Sequence, residues 1–246
     1  MPLPARSGVL LAFMLSPLVS LCAREETTPL ALPIKEGAET RIACEHKPEF
    51  GVSNYPGVYH YRVWLPRGYL ADTKKTWKSL FIASPGGKAT MGNMEAWLKS
   101  HPYVVIMLEE SKNGPWDPSV GNFLAAHDDA TKRFRLTEYG KVCTGFSGGS
   151  RASSLFVTLT SGFGGVILQG ATTGVLDNGM RGLKGVQIPA VVLTMGKKDA
   201  NRGEIKDLQT LLDGRVEVME FEGGHMWAPK PVIEKALDYV DARLPK

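Results

Sequence analysis

Cysteine is scarce, with 3 in 246 residues, and Cys22, Cys44 and Cys143 lie too far apart in the chain for the paired spacing of a zinc site. Charge of one sign is scarce as well. Lys and Arg number 29 against 25 Asp and Glu, a formal excess of +4, and the basic residues are scattered. That balance offers no basic face and argues against nucleic acid as a partner. No apolar run reaches the roughly 20 residues that a membrane-spanning helix requires, and there is no internal repeat or low-complexity tract. What is present is an ordinary globular composition, 43% hydrophobic and 22% charged, long enough to bury one sizeable core.

The first segment has the features of a secretory signal peptide: Arg6, an apolar stretch from Val9 to Leu21 interrupted by Pro17, small residues at Ser20, Cys22 and Ala23, then Arg24-Glu25-Glu26. Residues 1–22 are therefore expected to be removed on export, leaving a single domain over 23–246. Val19-Ser20-Leu21-Cys22 also resembles the site at which bacterial lipoproteins are cut and lipidated, with Leu21 where that pattern has Gly, Ala or Ser. A lipid anchor at Cys22 is thus the alternative to simple export. Cys44, near an early peripheral strand, and Cys143, in a central one, are expected to be buried free thiols, because a disulfide needs Cα atoms about 4.4–6.8 Å apart.

After a polar leader, short apolar runs alternate with segments of helical period. Strands are expected at Tyr59–Leu65, Ser79–Ser84, Tyr103–Leu108, Lys141–Gly145, Gly165–Gln169, Ala190–Met195 and Val216–Phe221. Their lack of polar alternation suits strands covered on both faces. Four helices are marked by Met94, Trp97 and Leu98; by Phe123, His127, Ala130 and Phe134; by Leu155, Phe156 and Leu159; and by Val232, Ile233, Ala236, Leu237 and Val240. The fold class that follows is α/β, a mostly parallel central sheet with helices on both faces. The connection from Gln169 to Ala190 is short, which leaves no room there for a large lid.

Gly145-Phe146-Ser147-Gly148-Gly149 fits the Gly-x-Ser-x-Gly nucleophile elbow, and its context is right: a strand runs into it and a helix leaves it. A serine needs a base to take its proton, and the base needs a carboxylate to orient it. Met195-Gly196-Lys197-Lys198-Asp199 follows one later strand, and Phe221-Glu222-Gly223-Gly224-His225 follows the next. Ser147, Asp199 and His225 thus emerge in order from strand ends on one edge of the sheet, as candidate nucleophile, orienting acid and base. Asp177 is the alternative acid. His46, His60 and His101 fall before the elbow, and His127 belongs to a helix face. An oxyanion formed on attack at a carbonyl would need backbone donors. Gly148 is one candidate, and Gly86 or Gly87 in Pro85-Gly86-Gly87-Lys88 is the other, since Pro85 has no N–H. Trp116 and Trp227 are candidates for an apolar wall beside the reacting group.

With elbow, acid, base and glycine loop in this order, the chain from about Tyr59 to Leu244 resembles the α/β-hydrolase superfamily. It is most similar to small lidless secreted esterases of the polyhydroxybutyrate-depolymerase-like, feruloyl or acetylxylan esterase and dienelactone-hydrolase kinds, with Gly-Gly-His225-x-Trp227 among the shared features. It departs from them at Ser84-Pro85-Gly86-Gly87, where many relatives carry His-Gly. The resemblance implies hydrolysis of a small-molecule or polymer-linked carboxylic ester through an acyl-enzyme, with no metal or organic cofactor. A serine peptidase of the same fold and a non-catalytic binding protein on the same scaffold are the competing readings.

Overall fold

The computed structural model describes residues 34–46 and 55–245, so the signal-peptide and lipid-anchor expectations for residues 1–22 lie outside the described residues. Eight strands form one sheet: β1 (Glu39–Ala43), β2 (His60–Trp64), β3 (Trp77–Ala83), β4 (Tyr103–Leu108), β5 (Leu136–Phe146), β6 (Phe163–Gln169), β7 (Ala190–Gly196) and β8 (Glu217–Phe221). Their order across the sheet is β1-β2-β4-β3-β5-β6-β7-β8. β1 and β2 pair antiparallel, as do β2 and β4; every other neighbour pair is parallel.

Five helices of α type cover this sheet: α1 (Glu95–Ser100), α2 (Trp116–Arg133), α3 (Gly148–Leu159), α4 (Glu204–Leu211) and α5 (Lys230–Asp241). Alternation along each strand assigns them to two faces. Phe81 and Ala83 of β3, with Val104, Ile106 and Leu108 of β4, share a core with Phe123 of α2, Phe156 of α3 and Leu208 of α4. Leu80 and Ile82, with Val105 and Met107, share the opposite core with Trp97 of α1 and Ile233, Ala236 and Leu237 of α5. Successive strand residues point to opposite faces, so an uninterrupted apolar run is what a doubly covered strand requires. Phe156 is fully buried, and truncating such a side chain to alanine costs about 3–5 kcal/mol.

All seven expected strands are present. β5 is longer than the sequence suggested, beginning at Leu136; β1 is the early peripheral strand beside Cys44, with bounds that the sequence did not mark, and α4 was not foreseen. Cys44 and Cys143 are free and buried, as expected. No large lid domain covers the sheet edge among the described residues, and no described helix is long and apolar enough to cross a membrane. The six strands β3 to β8 are parallel to one another, so their C-terminal ends share one edge. That edge carries Ser84–Lys88 after β3, Glu109–Asn113 after β4, Ser147 after β5, Asp199 after β7 and His225 after β8.

Candidate active site

Ser147 stands between β5 and α3 with φ 53° and ψ −116°, a conformation an L-residue adopts at a cost of about 1–3 kcal/mol. The surroundings hold it there. Its N–H donates to Gln169 O at 2.8 Å and its carbonyl accepts from Arg151 N at 3.1 Å. The glycines of the motif are demanded by close approach. A Cβ on Gly145 would lie 2.3 Å from the Gly149 carbonyl carbon, and one on Gly149 would lie 2.7 Å from Ala83 O on β3. No side chain fits at either position, and the turn thrusts the Ser147 hydroxyl out of the sheet.

Three residues far apart in the chain meet at this point. His225 Nε2 is 2.9 Å from Ser147 Oγ, and His225 Nδ1 is 2.9 Å from Asp199 Oδ2 and 3.1 Å from Oδ1. The Asp199 side chain is fully buried, while that of His225 is 39% exposed. Asp199 is held in turn by Asn201 N, which donates to Oδ1 at 2.8 Å, and Asn201 Nδ2 donates to Gly170 O at 2.8 Å. A buried carboxylate on Nδ1 fixes the tautomer with the proton on Nδ1, leaving Nε2 to accept from the hydroxyl.

The loops that deliver acid and base are laced together. Lys197 N donates to Phe221 O and Lys198 N to Gly223 O, each at 2.9 Å. A Cβ on Gly196 would lie 2.3 Å from Gly224 O, so the Gly223-Gly224 segment crosses directly over the end of β7 and turns the imidazole toward the elbow. Phe146 backs the imidazole with ring centroids 4.7 Å apart, and Trp227 lies 5.3 Å from the same phenyl ring. Gln169 was not foreseen. Buried at the end of β6, it donates to Thr144 Oγ1 at 3.0 Å and accepts from Ala228 N at 3.3 Å, tying the histidine loop to the sheet. A single polar residue closing the run Phe163–Gln169 was the one signal available.

The other candidates separate cleanly. Asp177 is exposed in the β6–β7 connection. His60 Nδ1 is bound to Glu110 at 2.9 Å, His101 stacks on Trp97 at 3.7 Å, and His127 is packed among Phe81, Phe156 and Phe163. His60, Glu109 and Glu110 are the one group of possible metal ligands among the described residues. Their donors are engaged by the protein, Glu109 with Arg41 at 2.7 Å and Glu110 with the ring and N–H of His60.

Gly148 N opens α3, where the first N–H groups lack helical partners and the helix dipole adds positive potential. Of the two glycines after β3, Gly87, with φ 72°, closes a tight turn, and its N–H donates to Ser84 O at 3.0 Å. Gly86 N makes no hydrogen bond among the described residues. This turn is clamped to the segment after β4, since Asn113 N donates to Pro85 O at 2.8 Å and Lys88 N to Glu109 O at 2.9 Å. The Asn113 carboxamide, unforeseen, sits so close over the elbow that a Cβ on Gly148 would lie 1.7 Å from its Oδ1.

Two clefts open here. One, of about 250 Å³, reaches Ser147 and Gly148 and is bordered by Lys112, Asn113, Trp116 and Arg151. The second, of about 200 Å³, lies between the Ser84–Lys88 turn and the start of α5 and is lined by Met91, Met94, Trp227 and Ile233. Trp116 is the first residue of α2, its Nε1 donating to Val175 O at 3.1 Å. Each tryptophan therefore both packs against its neighbours and walls a cleft.

This architecture is the α/β-hydrolase fold. Among solved structures the chain is similar to FphF, a fluorophosphonate-binding serine hydrolase of Staphylococcus aureus (16% identity, TM-score 0.60), over 84% of this chain and 99% of that one. It is similar to a ferulic acid esterase of the anaerobic fungus Anaeromyces mucronatus (13% identity, TM-score 0.59), over 90% and 96% of the two chains. The "putative dienelactone hydrolase" of Klebsiella pneumoniae is similar at 11% identity and TM-score 0.58, over 84% of this chain and 97% of that one. No protein-family model and no curated protein sequence matches the chain.

Proposed function

We propose that this protein is an exported serine hydrolase that cleaves carboxylic esters through an acyl-enzyme. The observation that carries the proposal is the continuous hydrogen-bonded chain from Ser147 Oγ through His225 to buried Asp199, mounted on a strained turn that the neighbouring backbone enforces. The esterases and serine hydrolases that share its fold support the same reading. Ser147 Oγ attacks the ester carbonyl as its proton passes to His225 Nε2. The resulting imidazolium is stabilised by Asp199, and the proton returns to the departing alkoxide. Water then attacks the acyl group by the same route, restoring Ser147 and releasing the acid. The developing oxyanion is met by Gly148 N and, in this reading, Gly86 N; each such donor contributes about 3 kcal/mol.

A fluorophosphonate probe tests this directly, because it reacts only with an activated serine. Ser147 is expected to carry the label, and Ser147→Ala to abolish both labelling and hydrolysis of short p-nitrophenyl acyl esters while the folded far-ultraviolet spectrum is kept. A folded protein that neither labels nor turns over would favour a binding protein on this scaffold. Labelling with faster turnover of peptides than of esters would favour a peptidase.

A further inference from the structure

Neither cleft at the site is lined by a carboxylate, and each is bordered by a lysine: Lys112 at the cleft that reaches Ser147, Lys88 at the apolar one. The acids near Ser147 are committed elsewhere. Asp199 is buried beneath His225, Glu204 receives Arg151 Nη2 at 2.5 Å, and Asp117 accepts from the backbone N–H of Tyr55 at 3.3 Å and from the Tyr59 hydroxyl. Arg151 is further occupied by Thr173 O at 3.0 Å. Lys112 takes part in no ion pair among the described residues, and its backbone is pinned by the bridge to Gly86 and by Asn113 N on Pro85 O. The uncompensated charge on the border of the cleft that reaches the nucleophile is therefore the exposed Lys112 ammonium, carried on an anchored backbone. The cleft's remaining border, Asn113, Ser119 and the Trp116 ring, is suited to a polar or flat group and provides little aliphatic wall.

Resting on the serine-hydrolase reading, we infer that the substrates are esters carrying a negative charge, a carboxylate or an equivalent anion, on the half of the molecule that occupies the Lys112 cleft. A cleft with a cation and no acid concentrates anions at its mouth. An exposed pair of this kind changes affinity by a factor of up to about five, and the gain shrinks as salt shortens the screening length.

The test compares length-matched esters that differ in charge: mono-p-nitrophenyl glutarate against p-nitrophenyl pentanoate, with the anion on the acyl half, and 4-acetoxybenzoate against 4-acetoxybenzamide, with the anion on the alcohol half. Intrinsic reactivity cancels when the anionic-to-neutral ratio of kcat/KM is compared between proteins. In at least one pair the ratio is expected to fall about fivefold in Lys112→Gln and further in Lys112→Glu, and raising salt is expected to erode it in the native protein only. Lys74→Gln makes the same charge change before β3, at the opposite end of that strand from the site, and should leave the ratio where it was. Unchanged ratios in both pairs for Lys112→Gln and Lys112→Glu would overturn the inference. Equilibrium binding of the same esters to Ser147→Ala, which cannot cleave them, reads the preference without turnover. Anion-selective binding without any hydrolysis by the native protein would sink the proposed function, and the substrate inference with it, and leave only an anion-binding cleft at Lys112.

Discussion

His225 and His127 lie toward opposite edges of the parallel sheet, and their surroundings are opposites. His225 lies beyond the C-terminal end of β5, partly open to solvent, with a carboxylate on one ring nitrogen and a hydroxyl on the other. His127, on α2, lies near Lys141, six residues before Ser147 and hence about 20 Å away along the strand. Its ring is enclosed by Phe81, Phe156 and Phe163, and Lys141 Nζ donates to its Nε2 at 2.9 Å. Burial, reinforced by that lysine, pushes the His127 pKa down to about 3, while burial lowers that of Lys141. An imidazole among rings beside a cation cannot hold a proton, whereas one with a buried acid behind it can receive a proton and give it back. The same residue type thus serves packing at one end of the sheet and has the surroundings of a proton carrier at the other.

The comparison breaks most visibly if the proton carrier is removed. His225→Ala is expected to lower kcat for p-nitrophenyl butyrate by roughly 10⁶-fold, comparable to loss of the serine itself, because the two act as one unit. Stopped assays at high enzyme concentration measure it, and a loss under tenfold would place the base elsewhere. Asp199→Asn comes next, at roughly 10⁴-fold. The amide would donate to Nδ1, leaving the proton on Nε2, where it faces Ser147 Oγ and cannot accept. Crystals of this variant should show the three side chains unmoved, which separates loss of orientation from loss of structure.

Much of this is legible in the sequence, for physical reasons that also mark where legibility stops. Ile82, Val105, Ile106 and Leu193 belong to runs that only doubly covered strands tolerate, so the parallel sheet could be read from them. Ser147, Asp199 and His225 could be placed together because each follows a strand and parallel strands end on one edge. The bounds of β1 escaped because, of its five residues, Ile42 alone is buried, and α4 escaped because it buries Leu208 alone. Edge elements carry too few core contacts to leave a periodic trace. Gly86 and Gly87 looked equivalent in one dimension, and only the closure of the turn onto Ser84 O decides which N–H is consumed. Asn113 over Gly148, Gln169 on Ala228 and Glu204 on Arg151 are pairings between distant segments, set by the folded path and not by any local pattern.

The smallest effect sharpens the comparison from the other histidine. Because the folded pKa of His127 lies below the unfolded value near 6.5, the unfolded chain binds a proton between about pH 6.5 and pH 3 that the folded chain refuses. Stability is therefore full above the unfolded pKa and declines as pH falls through that window, by at most about 1.4 kcal/mol per pH unit for this one site. His127→Gln keeps an acceptor for Lys141 Nζ and has no proton to gain. Chemical denaturation at pH 7 and pH 4.5 should show the variant losing less stability than the native protein across that interval, while its kcat/KM at pH 7.5 stays within about twofold. Other carboxylates titrate in both proteins and drop out of the difference. Equal losses in the two would mean that His127 takes up its proton in the folded state, and that the aromatic cage around it is wetter than its packing implies.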